Sequence, residues 1–101
     1  MSQTVRSSQR FDVQLDIEVT FGDQKQVTKS RNLSLGGAFV DASVKPPFNA
    51  RVSMRFHIPN QREVIQVGGV VRWVDPGGFG VQFDGLRARD VWALGKYFES
   101  L

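Results

Sequence analysis

The chain of 101 residues predicts an all-β fold: a small six-stranded antiparallel β-barrel with a C-terminal α-helix. Three observations predict it. Apolar and polar residues alternate with a period of two through most of positions 11–83. Gly, Pro, Asn and Asp punctuate that region at short intervals, as tight turns require. Beyond Gly85 the apolar spacing changes to three and four, the period of an amphipathic helix.

Residues 1–10 are polar and aperiodic and read as a mobile arm; residues 11–101 make the domain. The first strand starts at Phe11. Phe11, Val13, Leu15, Ile17, Val19 and Phe21 point one way, and Asp12, Gln14, Asp16, Glu18 and Thr20 the other. A flat exposed face gives those acids little to shift their pKa values, so they read as solvated surface and not as acid–base machinery. Gly22-Asp23 turns the chain into a second strand, Lys25 to Leu33. Ala38 to Ala42 is a short third strand, and Pro46-Pro47 and Asn49 make the next segment a loop.

Arg51 to Ile58 alternates again, with Val52, Met54, Phe56 and Ile58 inward. Pro59-Asn60 turns into a long strand, Glu63 to Val74, with Ile65, Val67, Val71 and Trp73 on the expected core face. Gly68-Gly69 predicts a bulge or sharp bend within it. Asp75-Pro76-Gly77-Gly78 is a strong turn signal. Phe79, Val81 and Phe83 make the last strand and share a core face. From Arg87 to Leu101 the stripe Val91, Leu94, Phe98 and Leu101 predicts the helix. Asp90 near its start and Lys96 near its end suit the helix dipole. The helix is too short to stand alone, so it must cap its own barrel or a neighbour's, and monomer and dimer both stay open.

Composition narrows the function. The absence of cysteine excludes disulfides, thiolate metal sites and thiol nucleophiles. The net charge of +3 is below the clustered excess of a dedicated DNA binder. Nine of the thirteen basic residues are arginines, which favours fork-shaped recognition of phosphate or guanine. No apolar run reaches membrane-spanning length, and Met1-Ser2-Gln3-Thr4-Val5 lacks the core of a signal peptide. The expected location is the cytoplasm, with no membrane partner.

Two short stretches carry the chemistry. Arg6 and Arg10, in the spacing Arg-x-x-x-Arg, form a clamp for an anion on an arm that can wrap a ligand. Arg51 and Arg55 repeat the spacing, but on the outer face of a strand, where solvated charges are expected. Asn32-Leu33-Ser34-Leu35-Gly36-Gly37 is a backbone corner with an amide, a hydroxyl and two glycines, suited to close contact with a ligand. The plain alternatives are a simple turn and an N-glycosylation acceptor, the latter disfavoured without a signal peptide.

The order of these elements resembles the PilZ domain, a bacterial receptor family for the second messenger cyclic di-GMP. Its signatures are Arg-x-x-x-Arg and Asp/Asn-x-Ser-x-x-Gly, separated by one hairpin, and both are matched here. Gly69 to Val74 and Gly78 to Phe83 look like the family's later strands. The resemblance runs from about Arg6 to Phe98 and is to the stand-alone form. It implies a split-barrel fold of the PilZ type, cyclic di-GMP as ligand with no metal or cofactor, an unidentified protein effector, and a role in motility, adhesion, biofilm or polysaccharide output. By similarity, Arg6 and Arg10 bind guanine edges and phosphates. Asn32 and Ser34 hydrogen-bond a guanine, and Gly37 lets the backbone approach. Gly36 and Trp73 are secondary candidates. Asn32 stands where many relatives have Asp, and its amide carbonyl is the weaker acceptor.

Three other classes compare less well. Gly78-Phe79-Gly80-Val81 loosely resembles the aromatic motif of cold-shock barrels that stack single-stranded bases, but no second aromatic motif or flanking lysines accompany it. A protein-interaction module that has lost its ligand would have lost arginines or the Ser/Gly corner. An enzyme is least favoured, because His57 has no spaced partner for a triad or metal site. Trp73, Trp92 and Tyr97 read as core or cap residues.

Overall fold

The computed structural model describes residues 9–62 and 64–101. Most of the expected arm, including Arg6, lies outside them, as does Glu63. Six antiparallel strands close into a barrel. They are β1 (Asp16–Phe21), β2 (Gln24–Leu33), β3 (Gly37–Asp41), β4 (Arg51–His57), β5 (Val64–Asp75) and β6 (Gly78–Phe83). Their order around the barrel is β1-β2-β3-β6-β5-β4, and β4 closes back onto β1. One helix, α1 (Ala88–Glu99), follows. Among the described residues no helix is long and apolar enough to cross a membrane.

Strand alternation builds the core as expected. Ile17, Val19, Val52, Met54, Phe56, Ile58, Ile65, Val67, Val71, Phe79, Val81 and Phe83 are all buried. Because the strands alternate in direction, the barrel has two distinct ends. One carries the turn at 22–23, the loop at 42–50 and the turn at 76–77. The other carries the Asn/Ser/Gly corner, the turn at 58–62 and α1. The helix packs on its own barrel, with Ala93, Leu94 and Phe98 in the core. Gln61 Nε2 donates to the Ala93 carbonyl and ties the β4–β5 turn to α1.

Four expectations need correction. The first strand keeps its alternating burial from Val13 onward, but its ladder with β2 begins only at Asp16, opposite Lys29. Just beyond Lys29, β2 bulges at Arg31 and leaves the register. The buried Ser30 side chain takes over: Leu15 N–H donates to its hydroxyl, which donates to the Val13 carbonyl. Further along, Phe11 exchanges both backbone hydrogen bonds with Leu33.

The bulge on β5 is at Arg72, not at Gly68-Gly69. Those glycines pair regularly with Ser53 and Val52. A β-carbon on Gly69 would meet the Gln82 carbonyl oxygen at 2.6 Å, so close packing accounts for that glycine. The alternation ends at the Arg72 bulge: Arg72, Trp73, Val74 and Asp75 are all exposed, Trp73 at 52% instead of buried. On α1 the buried face is Asp90, Ala93, Leu94 and Phe98. Val91 and Leu101 face out, and so does Trp92 at 65% exposure, because the helix turns its small Ala93 to the barrel.

Candidate functional site

The site lies on the outer face of the barrel, where two bulges act together. A β-bulge puts two residues opposite one and re-aims the side chains that follow. On β2, Ser30 and Leu33 are both buried, so Arg31 and Asn32 share the outer side between them. On β5, Val71 is buried and both Arg72 and Trp73 turn out. Between these strands run β3 and β6. Register then sets one row across four strands: Asn32 opposite Phe39, Phe39 opposite Gly80, Gly80 opposite Trp73.

Gly80 is the floor of that row. A β-carbon there would lie 2.6 Å from Trp73 Cε3 and 3.3 Å from Phe39 Cδ2. The two rings therefore lean together over a position without a side chain. Arg10 lies across the row. Its Nη1 donates to Asn32 Oδ1 at 2.9 Å, and its guanidinium carbon is 5.5 Å from the centre of the Trp73 ring. At the other flank the Arg31 guanidinium lies 4.4 Å from the Phe39 ring centre, and its Nε and Nη2 both donate to Asp41 Oδ1.

Arg10 is held in place from behind. Its neighbour Phe11 is fixed by the backbone pair with Leu33 and stacks on Phe98 of α1, with ring centres 4.1 Å apart and planes 14° from parallel. The helix thus anchors the root of the segment that carries the arginine pair.

The corner itself is a tight turn. Ser34 is buried and its hydroxyl accepts from the Gly36 and Gly37 N–H groups, both at 3.1 Å. Ser34 N–H donates to the Gly37 carbonyl at 2.9 Å. A β-carbon on Gly37 would lie 2.2 Å from the Val81 carbonyl oxygen, so β3 and β6 can pair here only around a glycine. The Gly36 carbonyl accepts from Phe83 N–H. Ser34, Gly36 and Gly37 therefore build the turn that sets where Asn32 and Phe39 stand.

Of the residues that the sequence singles out, the structure brings Arg10, Asn32 and Trp73 together, and Ser34, Gly36 and Gly37 form the turn that follows Asn32. Arg6 is outside the described residues. Arg31, Phe39 and Gly80 join the site without having been singled out by sequence. Phe39 alternates with the inward Ala38 and Val40, so its outward direction is readable. Arg31 cannot be placed without the bulge, which strict alternation does not reveal.

The electrostatics favour an anion beside the rings. Arg72 donates to Gln82 Oε1 and Asn49 Oδ1, and Arg10 to Asn32, all neutral partners. Among the described residues neither arginine has a carboxylate partner within salt-bridge distance, whereas Arg31 pairs with Asp41 and Arg51 with Asp84. The positive charge of Arg10 and Arg72 therefore stays available near Trp73. Aromatic rings can stack a base, guanidinium forks can bind its edge or a phosphate, and an amide can read its polar edge. A groove of about 350 Å³ at the far end of the barrel, lined by residues such as Phe21, Gln24, Gln26, Val44 and Lys45, has a ring and amides but no guanidinium.

Known proteins agree with this architecture. Among solved structures, the chain is similar to the inhibitor of motility MotI/DgrA of Bacillus subtilis. The TM-score is 0.75 at 23% identity, over 87% of this chain and 46% of that one. It is similar to the PlzA protein of Borreliella burgdorferi, solved in complex with c-di-GMP, with a TM-score of 0.70 at 19% identity, over 96% of this chain and 42% of that one. It is also similar to the PilZ domain of CeSA from a cellulose-synthesizing bacterium, with a TM-score of 0.70 at 18% identity, over 88% of this chain and 93% of that one. Likeness at these identities is likeness of fold, and the chain spans less than half the length of the first two proteins. No curated protein matches it by sequence. The PilZ domain family model matches residues 4–100. That match takes in both arginines, the corner, the whole barrel and the whole helix, and the chain belongs to the PilZ domain family.

Proposed function

We propose that this chain is a receptor for cyclic di-GMP and works as an adaptor, not as an enzyme. The observation that carries the reading is the contact of Arg10 with both Asn32 and Trp73. It joins the two sequence signatures, 22 residues apart, on one aromatic surface. One neighbour of the same fold was solved with this ligand, which supports the choice of nucleotide.

In the proposed mechanism a guanine enters over Trp73 and Gly80. Its N–H edge donates to Asn32 Oδ1, which requires Arg10 to leave that oxygen. Arg10 turns its fork to the acceptor edge of a base or to a phosphate, and Arg6 follows by the same motif. Ser34 and Gly37 act by holding the corner. The segment that carries Arg6 folds over the ligand and presents a new surface to a protein effector, in the cytoplasm where the messenger acts. Motility control is one output in keeping with the MotI likeness. The ligand can drive this change only through its preference for the closed segment.

The test is thermal unfolding with and without cyclic di-GMP, on the wild type and on Arg6→Ala/Arg10→Ala. At a hundredfold excess over Kd, binding contributes about 2.7 kcal/mol. Each kcal/mol moves the midpoint of a domain this size by about 4–8 °C. The wild type should rise by on the order of ten degrees, and the double variant should not. Equal midpoints with and without ligand in the wild type would remove the receptor reading.

A further inference from the structure

We propose that Arg31 and Phe39 form a second purine subsite beside the one framed by Arg10, Asn32 and Trp73. The inference rests on the receptor reading and deepens it. A cyclic dinucleotide carries two purines, and the residues discussed so far account for one.

Three observations carry the proposal. The first is repetition of chemistry. Each ring of the row has a guanidinium beside it: Trp73 has Arg10 and Phe39 has Arg31. Purines stack on aromatic faces and on guanidinium planes alike. The second is continuity. The two rings converge over Gly80, so one apolar floor joins both flanks. Phe39 and Trp73 lie on strands separated only by β6, about 10 Å at the backbone by the usual strand spacing. The third is preorganisation. Arg31 is the bulged residue of β2, with no cross-strand partner in the β3 register. Its fork is held by two donations to Asp41 Oδ1, at 2.9 and 2.6 Å, while its side chain stays 48% exposed. A guanidinium fixed over a ring and open to solvent can receive a base without first being ordered.

The plain reading is a surface ion pair beside a half-buried ring. Such a pair contributes little to stability, and its removal would leave ligand binding untouched. The two readings therefore part at binding.

The experiment is calorimetric titration of the full chain with cyclic di-GMP, for the wild type, Arg31→Ala, Phe39→Ala and Arg10→Ala, with a melt of each unliganded protein. Arg31→Ala should melt like the wild type and bind about tenfold or more weakly, the loss expected for one stacked base. Phe39→Ala should weaken binding at least as much. With Arg31→Ala weakened, the stoichiometry identifies the occupant. One ligand per chain assigns it the second base of the same molecule, and two per chain assign it a base of a second, stacked molecule. Arg31→Ala is the deciding variant, since Phe39→Ala also touches packing. If Arg31→Ala binds with wild-type affinity while Arg10→Ala does not, the subsite is overturned and the receptor reading stands. A wild type that binds nothing overturns both.

Discussion

Gly37 and Gly80 lack a side chain for different reasons, and the difference can be measured. At Gly37 an added β-carbon would press on the Val81 carbonyl oxygen at 2.2 Å, and backbone in a paired strand cannot yield. At Gly80 it would meet the Trp73 ring at 2.6 Å, the far end of an exposed side chain that can swing away. Gly37→Ala should therefore destabilise the fold by about 1–3 kcal/mol, read by urea denaturation. Gly80→Ala should cost far less stability but weaken cyclic di-GMP binding, because it splits the aromatic floor. A Gly80→Ala protein with wild-type affinity would show that the floor is not used. At this scale the sequence reveals Arg10 and Asn32 through their spacing. It does not reveal that the Ser34 hydroxyl is turned inward onto Gly36 and Gly37, since a turn hydroxyl and a ligand hydroxyl look alike in one dimension. Nor does it reveal Arg31, whose direction depends on a bulge.

At the scale of elements, period-two alternation locates every strand, and the departures occur where that period breaks. Trp73 continues the series Ile65, Val67, Val71 and is expected in the core; the bulge at Arg72 moves it out. Alternation also extends the first strand back to Phe11. In fact the Ser30 side chain, not a ladder, carries the chain from Val13 to Leu15. The helix is legible in kind, but its buried face is rotated toward Ala93. That face has a functional consequence. Phe98 stacks on Phe11, and Phe11 adjoins Arg10. Phe98→Leu keeps an apolar side chain and removes the stack, so stability should fall by about 0.5–1.5 kcal/mol. Affinity for cyclic di-GMP should fall with it, through a misplaced Arg10. If stability drops and affinity does not, the helix is a cap only and does not position the arginine segment.

Across the whole molecule the barrel offers little that a ligand could move. All six strands are paired on both sides, and the radius of gyration of 12.8 Å is that of a compact body of this length, about 13 Å. A closed ladder cannot open locally without losing hydrogen bonds from two neighbours. On the receptor reading proposed above, the response is assigned to a part outside the ladder, the segment before Phe11, which carries the arginine pair and meets the barrel where Phe11 stacks on Phe98. Limited trypsin digestion tests this directly, because the enzyme cuts after arginine. Saturating cyclic di-GMP should slow cleavage after Arg6 and Arg10 severalfold in the native state, whereas Arg55 lies in β4, paired on both sides, and is cut only on global unfolding, so its slowing reports the stabilisation of the whole fold. Equal slowing at all three sites would mean that the ligand only stabilises the fold globally. Unchanged cleavage at Arg6 and Arg10 would mean that the segment does not close, and an effector would have to recognise the ligand itself, bound on an open barrel face.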